Sequence, residues 1–390
     1  MNQPYDELEN QCATDRAALL AKALPKQIAL AQTLPGYTSL TEVDARTVDG
    51  RDSLAALPVL RKSDLVTLQR ADPPFGGLTA RKPAEFDHLF QSPGPINEPG
   101  MRRGDWFRLG RFLHAAGIGS ADVVQNCYGY HLTPAGMMIE SAAEAVGAAV
   151  LPAGTGQTEL QARAAAEMGV TAYAGTPDYL KVILEKADEL GLTLAVTKAA
   201  VSGGALFPSL RQYYADRGIA CLQCYATADL GLVAYESPAK EGLIVDEGVI
   251  VEIVTPGTGD PVSVGEVGEV VVTSFNRDYP LIRFATGDLS AVMPGESPCG
   301  RTNMRIKGWM GRADQTTKIK GMFVRPEQVA ALVSRHAEVT RARVIAGRDG
   351  ETDTMTVKVE ANSADPERIA ISVREVLKLA GVVEVVQPGS

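Results

Sequence analysis

The stretch Tyr279-Pro280-Leu281-Ile282-Arg283-Phe284-Ala285-Thr286-Gly287-Asp288-Leu289 reads as an apolar, strand-like run that ends in a Thr-Gly-Asp turn. Downstream come Gly311-Arg312-Ala313-Asp314 and then Lys318-Ile319-Lys320-Gly321. One carboxylate is thereby placed at a turn. An Arg/Asp pair follows where the chain changes character, which predicts a domain junction near Gly311.

Upstream of this stretch, apolar runs alternate with segments patterned as helices. Strands are expected over 123–128, 148–152, 171–174, 199–202 and 220–225, with helices over 134–146, 158–168, 177–190 and 208–216 between them. Alternation at this spacing predicts a parallel sheet covered on both faces. Ligands of such sheets lie at the carboxyl ends of the strands. Earlier still, Leu8, Leu19, Leu20, Ala23 and Leu24 suggest one face of a helix, and residues 57–65 read as a loop that caps a helix. After Gly242 the pattern turns β-rich, with strands over 249–254 and 268–273. Beyond Gly311 a smaller α+β unit is expected. It has helices over 326–336 and 365–379, strands over 341–346 and 354–360 around the Arg348-Asp349-Gly350 turn, and a last strand over 382–386. The fold class is α/β, with a large domain over 1–310 and a small one over 311–390.

The 390 residues are 45% hydrophobic and 22% charged, enough apolar content for cores in two or three domains. A net charge of -9 argues against a nucleic-acid partner, which demands a basic face. The start, Met1-Asn2-Gln3-Pro4-Tyr5-Asp6-Glu7, lacks the basic and apolar regions of a signal peptide. No apolar run reaches the roughly 18 residues of a membrane span. A cytoplasmic protein without a membrane partner is expected, and a homodimer is admitted. Five cysteines are scattered and odd in number, so no disulfide framework is expected. Cys221-Leu222-Gln223-Cys224 lies in a run that reads as a buried strand, where a redox thiol would be out of place.

Two further segments fall at the predicted carboxyl edge of the sheet. Tyr225-Ala226-Thr227-Ala228-Asp229 follows a strand, and taken alone Thr227 or Asp229 suits a helix N-cap. Ser202-Gly203-Gly204-Ala205 occupies the same edge one unit earlier, where glycines let backbone approach a flat ring. Together with the Thr-Gly-Asp and Gly-Arg-Ala-Asp segments, these resemble the core motifs of the adenylate-forming superfamily, most closely its phenylacetate-CoA ligase branch.

That resemblance, running from about Leu57 to Val386, implies roles for particular residues. Tyr225 and Ala226 would lie against adenine, with Ser202, Gly203, Gly204 and Ala205 on its other side. Thr227 would meet phosphate, and Asp229 would hold magnesium where the family has Glu. Asp288 would accept hydrogen bonds from both ribose hydroxyls, with Arg312 reaching the same sugar. Asp314 would be the hinge on which a mobile small domain turns, and Gly321 would line the pantetheine channel. The segment 128–136 matches the outline of the family's acyl pocket, which makes Tyr130, His131 and Gly136 substrate-binding candidates. Residues 154–158 resemble a family loop beside that pocket.

The chain departs from the family in three places. The phosphate loop Ser-Ser-Gly-Thr-Thr-Gly-Lys-Pro becomes Ser92-Pro93-Gly94-Pro95-Ile96-Asn97-Glu98-Pro99. Ser92 and Gly94 remain, two prolines remove N–H donors, and Glu98 brings negative charge to the site of phosphate. The expectation is that ATP handling is altered or that another segment supplies the cation. The sequence also stops at Ser390, where the family's Gly-Lys segment would begin. Finally, Ser297-Pro298-Cys299-Gly300-Arg301 carries one Cys where many relatives have a two-Cys metal knuckle, so no structural zinc is expected. The implied reaction is AMP-forming ligation of an aryl or aryl-acetic acid to coenzyme A, with ATP and Mg2+, through an acyl-adenylate. Alternatives are an acyl-protein synthetase-like transferase, with Cys299 as nucleophile, and a non-catalytic nucleotide or acyl-CoA binder.

Overall fold

Each apolar run in the middle of the chain becomes a strand, and the small-residue segments between them become covering helices. The computed structural model describes residues 3–313, 317–319, 322–324, 326–349 and 352–389. Two units emerge: Met1–Thr286 with Ser290–Trp309, and Gly287–Leu289 with Met310–Ser390.

The first unit is built on a 12-stranded mixed sheet. Its parallel part runs in the order Ala149–Leu151, Val123–Asn126, Ala172–Gly175, Lys198–Val201, Ala220–Thr227. The chain leaves Val123–Asn126 on one side and returns on the other, which makes a topological switch point there. Helices Ala135–Val146, Thr158–Glu167, Pro177–Glu189 and Pro208–Asp216 make the connections. Apolar cores lie on both faces of the parallel part, one around Phe112, Leu113 and Ala142, the other around Tyr173, Ile183 and Tyr214. Cys221 packs into the second and Cys224 into the first, so their strand points the two thiols to opposite faces. Beyond Ala220–Thr227 the pairing turns antiparallel through Gly231–Tyr235 and Leu243–Val245, and Val249–Val254 pairs with Val267–Ser274.

Three expectations need correction. The N-terminal helix is Ala13–Gln32, and it buries Leu24, Gln27, Ile28 and Ala31, while Leu8 and Leu19 are exposed. Leu24 alone of the expected face is fully inside, because Gln27 anchors the helix through its amide to the carbonyls of Ser274 and Asn276. The segment 91–100 is not a loop but a hairpin, His88–Ser92 against Ile96–Gly100, closed by Pro93-Gly94-Pro95. Thr286-Gly287-Asp288 is not a terminal turn either. It lies inside the strand Phe284–Met293, which Gly287 kinks with a φ of 77° that other residues rarely adopt.

Arg283 explains how that strand is held. Its side chain is 2% exposed, and it pairs with Glu252 through Nε at 3.1 Å and Nη2 at 3.0 Å. The same guanidinium donates to the carbonyls of Ala55, Leu57 and Gly259. A residue that reads as one polar interruption in an apolar run is thus the tie between the strand, the segment before Leu60–Arg61, and the β-rich part.

The second unit carries the antiparallel pair Arg341–Asp349 and Thr352–Glu360, with Val382–Val386 parallel to the latter. Helices Pro326–Ser334 and Pro366–Leu377 cover it, with Leu332, Val357, Ile369 and Val373 at its centre. Among the described residues no helix is long and apolar enough to cross a membrane.

Replacing Arg283 by Met strands the Glu252 carboxylate and three buried carbonyls. Urea unfolding of Arg283→Met is expected to show a loss of about 3–5 kcal/mol, against no measurable change on removal of the exposed Arg46–Asp44 pair.

Candidate active site

The carboxyl ends of the parallel strands frame an apolar cavity of about 300 Å3. Its lining includes the apolar Phe112, Tyr128, Met138, Ile139 and Ala226 and also Ser92, Ser202, Gly203 and Thr227. Tyr128 spans the switch point, its hydroxyl donating to the carbonyl of Gly175 at 2.8 Å. Ser202 donates to the carbonyl of Cys224 at 2.9 Å, and Gly203 adopts a φ of 73°, so the turn after Lys198–Val201 lies close to the next strand. Gly204 and Ala205 are exposed and do not line the cavity. A larger cleft of about 630 Å3, lined by His88, Arg102, Glu140 and Glu144, holds none of the predicted site residues.

Thr227 and Asp229 do not cap a helix, because the chain turns back directly into Gly231–Tyr235. The Thr227 hydroxyl accepts from the N–H of Leu230 at 3.1 Å and so shapes that turn. Tyr225 donates from its hydroxyl to Thr286 at 3.0 Å, tying the turn's strand to the quoted stretch. Asp229 is fully buried in its side chain and pairs with Lys62 Nζ at 2.6 Å. Its Oδ1 is buried without a hydrogen-bond partner among the described residues. A lone carboxylate oxygen of this kind suits Mg2+, which takes one or two carboxylates and completes its shell with substrate phosphates and water. Among the described residues no three or more acidic, His or Cys side chains are placed to hold a metal ion together, so the rest of such a shell would come from the substrate.

Lys62 was not marked by the sequence. It opens the helix Lys62–Ala71, far from Asp229 in the chain, and no local pattern links the two. The structure nonetheless sets its ammonium beside the turn that carries Thr227. Glu98, also inside, accepts from the Ser92 N–H at 3.2 Å and from the Ser92 hydroxyl. Burial, and then the charge of Asp229, push its carboxyl up to about 7, against the smaller opposing pull of Ser92 and Lys62. Gly94 closes the hairpin with a φ of 154°.

The segment 128–136 contributes otherwise than expected. Tyr130, His131 and Gly136 do not line the cavity, whereas Tyr128, Thr133, Pro134 and Ala135 do. Tyr130 is turned to Asn126 and Glu140, each at 2.7 Å. Gly136 is required by packing, since a Cβ there would meet the Tyr130 ring at 2.8 Å. His131 is exposed. Cys299 is half-buried and also lies off the cavity. Burial would raise its thiol, but Ser237, Ser297 and Arg301 together hold it below its ordinary value. Cys221 and Cys224 are pushed up to about 12 by burial.

In the second unit Asp288 pairs with Arg312 Nη1 at 3.2 Å, and their backbones form an isolated antiparallel bridge. Gly287 gives Arg312 its room, because a Cβ there would meet the guanidinium at 2.8 Å. Asp314 and Gly321 lie outside the described residues.

No family model matches the chain. A phenylacetate-coenzyme A ligase of Thermus thermophilus is 29% identical over 387 residues, 93% of this chain and 84% of that protein. The phenylacetate-coenzyme A ligase of Escherichia coli is 30% identical over 269 residues, 65% of this chain and 60% of that protein. The chain is similar to phenylacetate-CoA ligases over most of its length. Its fold is that of the adenylate-forming CoA ligases: 2-hydroxyisobutyryl-CoA ligase, solved in an open conformation with 2-HIB-AMP and CoA, superposes with a TM-score of 0.85. That match covers 100% of this chain and 93% of the other at 23% identity. Glu98 stands where the phosphate-loop motif that this stretch resembles has Lys.

Glu98, Asp105 and Glu247 are all pushed up to about 7, chiefly by burial, and so hold protons in the folded state that the unfolded chain releases. Their contribution is present at low pH and lost as pH rises through 7. Asp6, Asp122 and Asp278 are held low by Arg111, Lys198 and Arg81 against burial, and their contribution is lost in acid. Urea titrations are expected to place maximal stability near pH 5, with a fall of roughly 1–3 kcal/mol by pH 8.

Proposed function

We propose that this chain is an AMP-forming carboxylate–CoA ligase whose acid carries an aromatic ring. The observation that carries the reading is the apolar cavity of about 300 Å3 that opens onto the turn bearing Thr227. A phenyl ring fits its Phe112, Met138 and Ile139 walls, and the carboxylate is left beside its polar lining. In the first half-reaction the acid's carboxylate oxygen attacks the α-phosphorus of ATP, and pyrophosphate leaves. In the second, the CoA sulfur attacks the acyl carbon, and AMP leaves.

The chain's own groups act mainly by placing and neutralising charge. Lys62 supplies the cation that the phosphate loop lacks. Asp229 would hold Mg2+, which neutralises phosphate charge when bound. Tyr225 and the Ser202-Gly203 turn offer faces for the adenine ring. Asp288, oriented by Arg312, takes the ribose hydroxyls. The protein acts on soluble small molecules, with no nucleic-acid or membrane partner.

Pyrophosphate exchange with a panel of acids tests this. Phenylacetate and its ring-substituted analogues are expected to exchange, and short hydroxy acids such as 2-hydroxyisobutyrate to exchange far less. Exchange with hydroxy acids alone would refute the aromatic assignment. Met138→Trp fills the cavity and should raise KM for the aryl acid by roughly tenfold or more with KM for ATP little changed. Asp288→Ala should lower kcat/KM by about 100-fold or more, the scale of losing a charged contact to substrate.

A further inference from the structure

Cys299 differs in kind from the other four cysteines, and nothing in its chemistry depends on the ligase reading. Cys127, Cys221 and Cys224 are buried, and burial pushes each thiol up to about 12. Cys12 is exposed, but its sulfhydryl donates to the Asp15 carboxylate at 3.2 Å. Cys299 is half-buried and faces a cation instead: Arg301 Nη1 donates to its Sγ at 3.7 Å. The Ser297 hydroxyl lies 3.0 Å from the same sulfur. Burial raises this thiol, yet Ser237, Ser297 and Arg301 outweigh it and hold the thiol below its ordinary value.

Arg301 is 2% exposed, and not all of its donors are used. Nε donates to Glu9 Oε2 at 2.8 Å and Nη1 to the sulfur, while Nη2 is buried with no hydrogen-bond partner among the described residues. A guanidinium N–H left in the interior without an acceptor is costly. The contact to sulfur is also poor, because a thiol is a weak acceptor and 3.7 Å is long beside the roughly 2.9 Å of an N–H···O bond. An oxygen carried on Sγ would give this guanidinium the acceptor it lacks. The loop is held in place meanwhile: the Thr302 N–H donates to the Glu9 carbonyl at 2.9 Å, and the Thr302 hydroxyl to the Gln11 carbonyl at 2.6 Å.

We propose that Cys299 is a site of oxidation by hydrogen peroxide, converted to a sulfenate whose oxygen is received by Arg301. The thiol first releases its proton to water. The thiolate sulfur then attacks one peroxide oxygen, so that an S–O bond forms as the O–O bond breaks. The departing hydroxide takes the sulfenic proton and leaves as water. Sulfur is oxidised and the peroxide is reduced. The anionic sulfenate accepts a charge-assisted hydrogen bond from the guanidinium, stronger than the one the thiol accepts now.

Alkylation of the native protein with iodoacetamide across a pH series, with each cysteine peptide quantified by mass spectrometry, tests this. Cys299 is expected to react ahead of Cys12 at about pH 6.5 and to reach half its maximal rate below the roughly 8.5 of free cysteine. After brief exposure to hydrogen peroxide, dimedone should mark Cys299 at least about fivefold more than Cys12. Arg301→Gln should slow alkylation of Cys299 at about pH 6.5 by roughly tenfold and cut the trapped sulfenate alike, with the rate at about pH 9.5 little changed. A merely structural loss would instead raise reactivity at every pH. Cys12 reacting first at about pH 6.5, no dimedone adduct on Cys299, or an Arg301→Gln profile equal to that of the wild type overturns the proposal. Should Arg301→Gln fail to fold, Ser297→Ala takes its place: an alkylation profile moved to higher pH supports the assignment and an unmoved one refutes it. None of these measurements needs ligase turnover, so failure of the acid panel leaves Cys299 to be judged on its own.

Discussion

A single buried guanidinium organises the part of the molecule on which the rest depends. Arg283 neutralises Glu252 and collects three carbonyls from separate segments. It does so from a backbone φ of 44°, which an apolar side chain would have no reason to accept. The strain is compensated because the charge cannot be satisfied elsewhere in so dry a place. After Phe284 and Ala285 come Thr286, Gly287 and Asp288. Their strand is thereby fixed at its start, and the kink at Gly287 sets where the Asp288 carboxylate emerges.

The same logic of scarce compensation runs through the nucleotide end of the sheet. The phosphate-loop motif that this stretch resembles has a lysine, whereas this chain has an acid there, and an ammonium comes from the helix Lys62–Ala71. Lys62 is committed to Asp229, so the local charge sum is negative before any phosphate arrives. A site so arranged must change protonation, cation content or both when a polyanion enters. The hairpin form of the loop fits this economy. Pro93, Pro95 and Pro99 offer no N–H groups, and the strand pairing takes up much of the rest.

Much of the fold could be read because period and spacing are local properties. The parallel strands, their covering helices and the late α+β elements followed from runs of apolar residues. What the sequence hid was long-range. Arg283 reads as a blemish in a strand until Glu252 is seen beside it. Lys62 is one more lysine at a helix start until the chain has folded it against Asp229. The apolar cavity draws on the predicted segment but through other side chains, since 127–134 lies beyond the strand Val123–Asn126 and no period there tells whether Tyr128 or Tyr130 points inward. Thr286-Gly287-Asp288 looked like a turn because glycine beside aspartate usually makes one. A strand kinked by glycine has the same composition. Leu8 and Leu19 were placed on the buried face of the N-terminal helix, although Gln27, a polar residue, marks that face.

Gly136 carries a consequence for how this enzyme could change. Its missing side chain is the space in which the Tyr130 ring rests, and Tyr130 in turn steadies Asn126 and Glu140. The start of the helix beside the apolar cavity is therefore frozen: any methyl group at this position evicts an aromatic ring and unsettles the strand end behind it. A change of cavity shape must come from its own lining, where Phe112 and Met138 can trade volume.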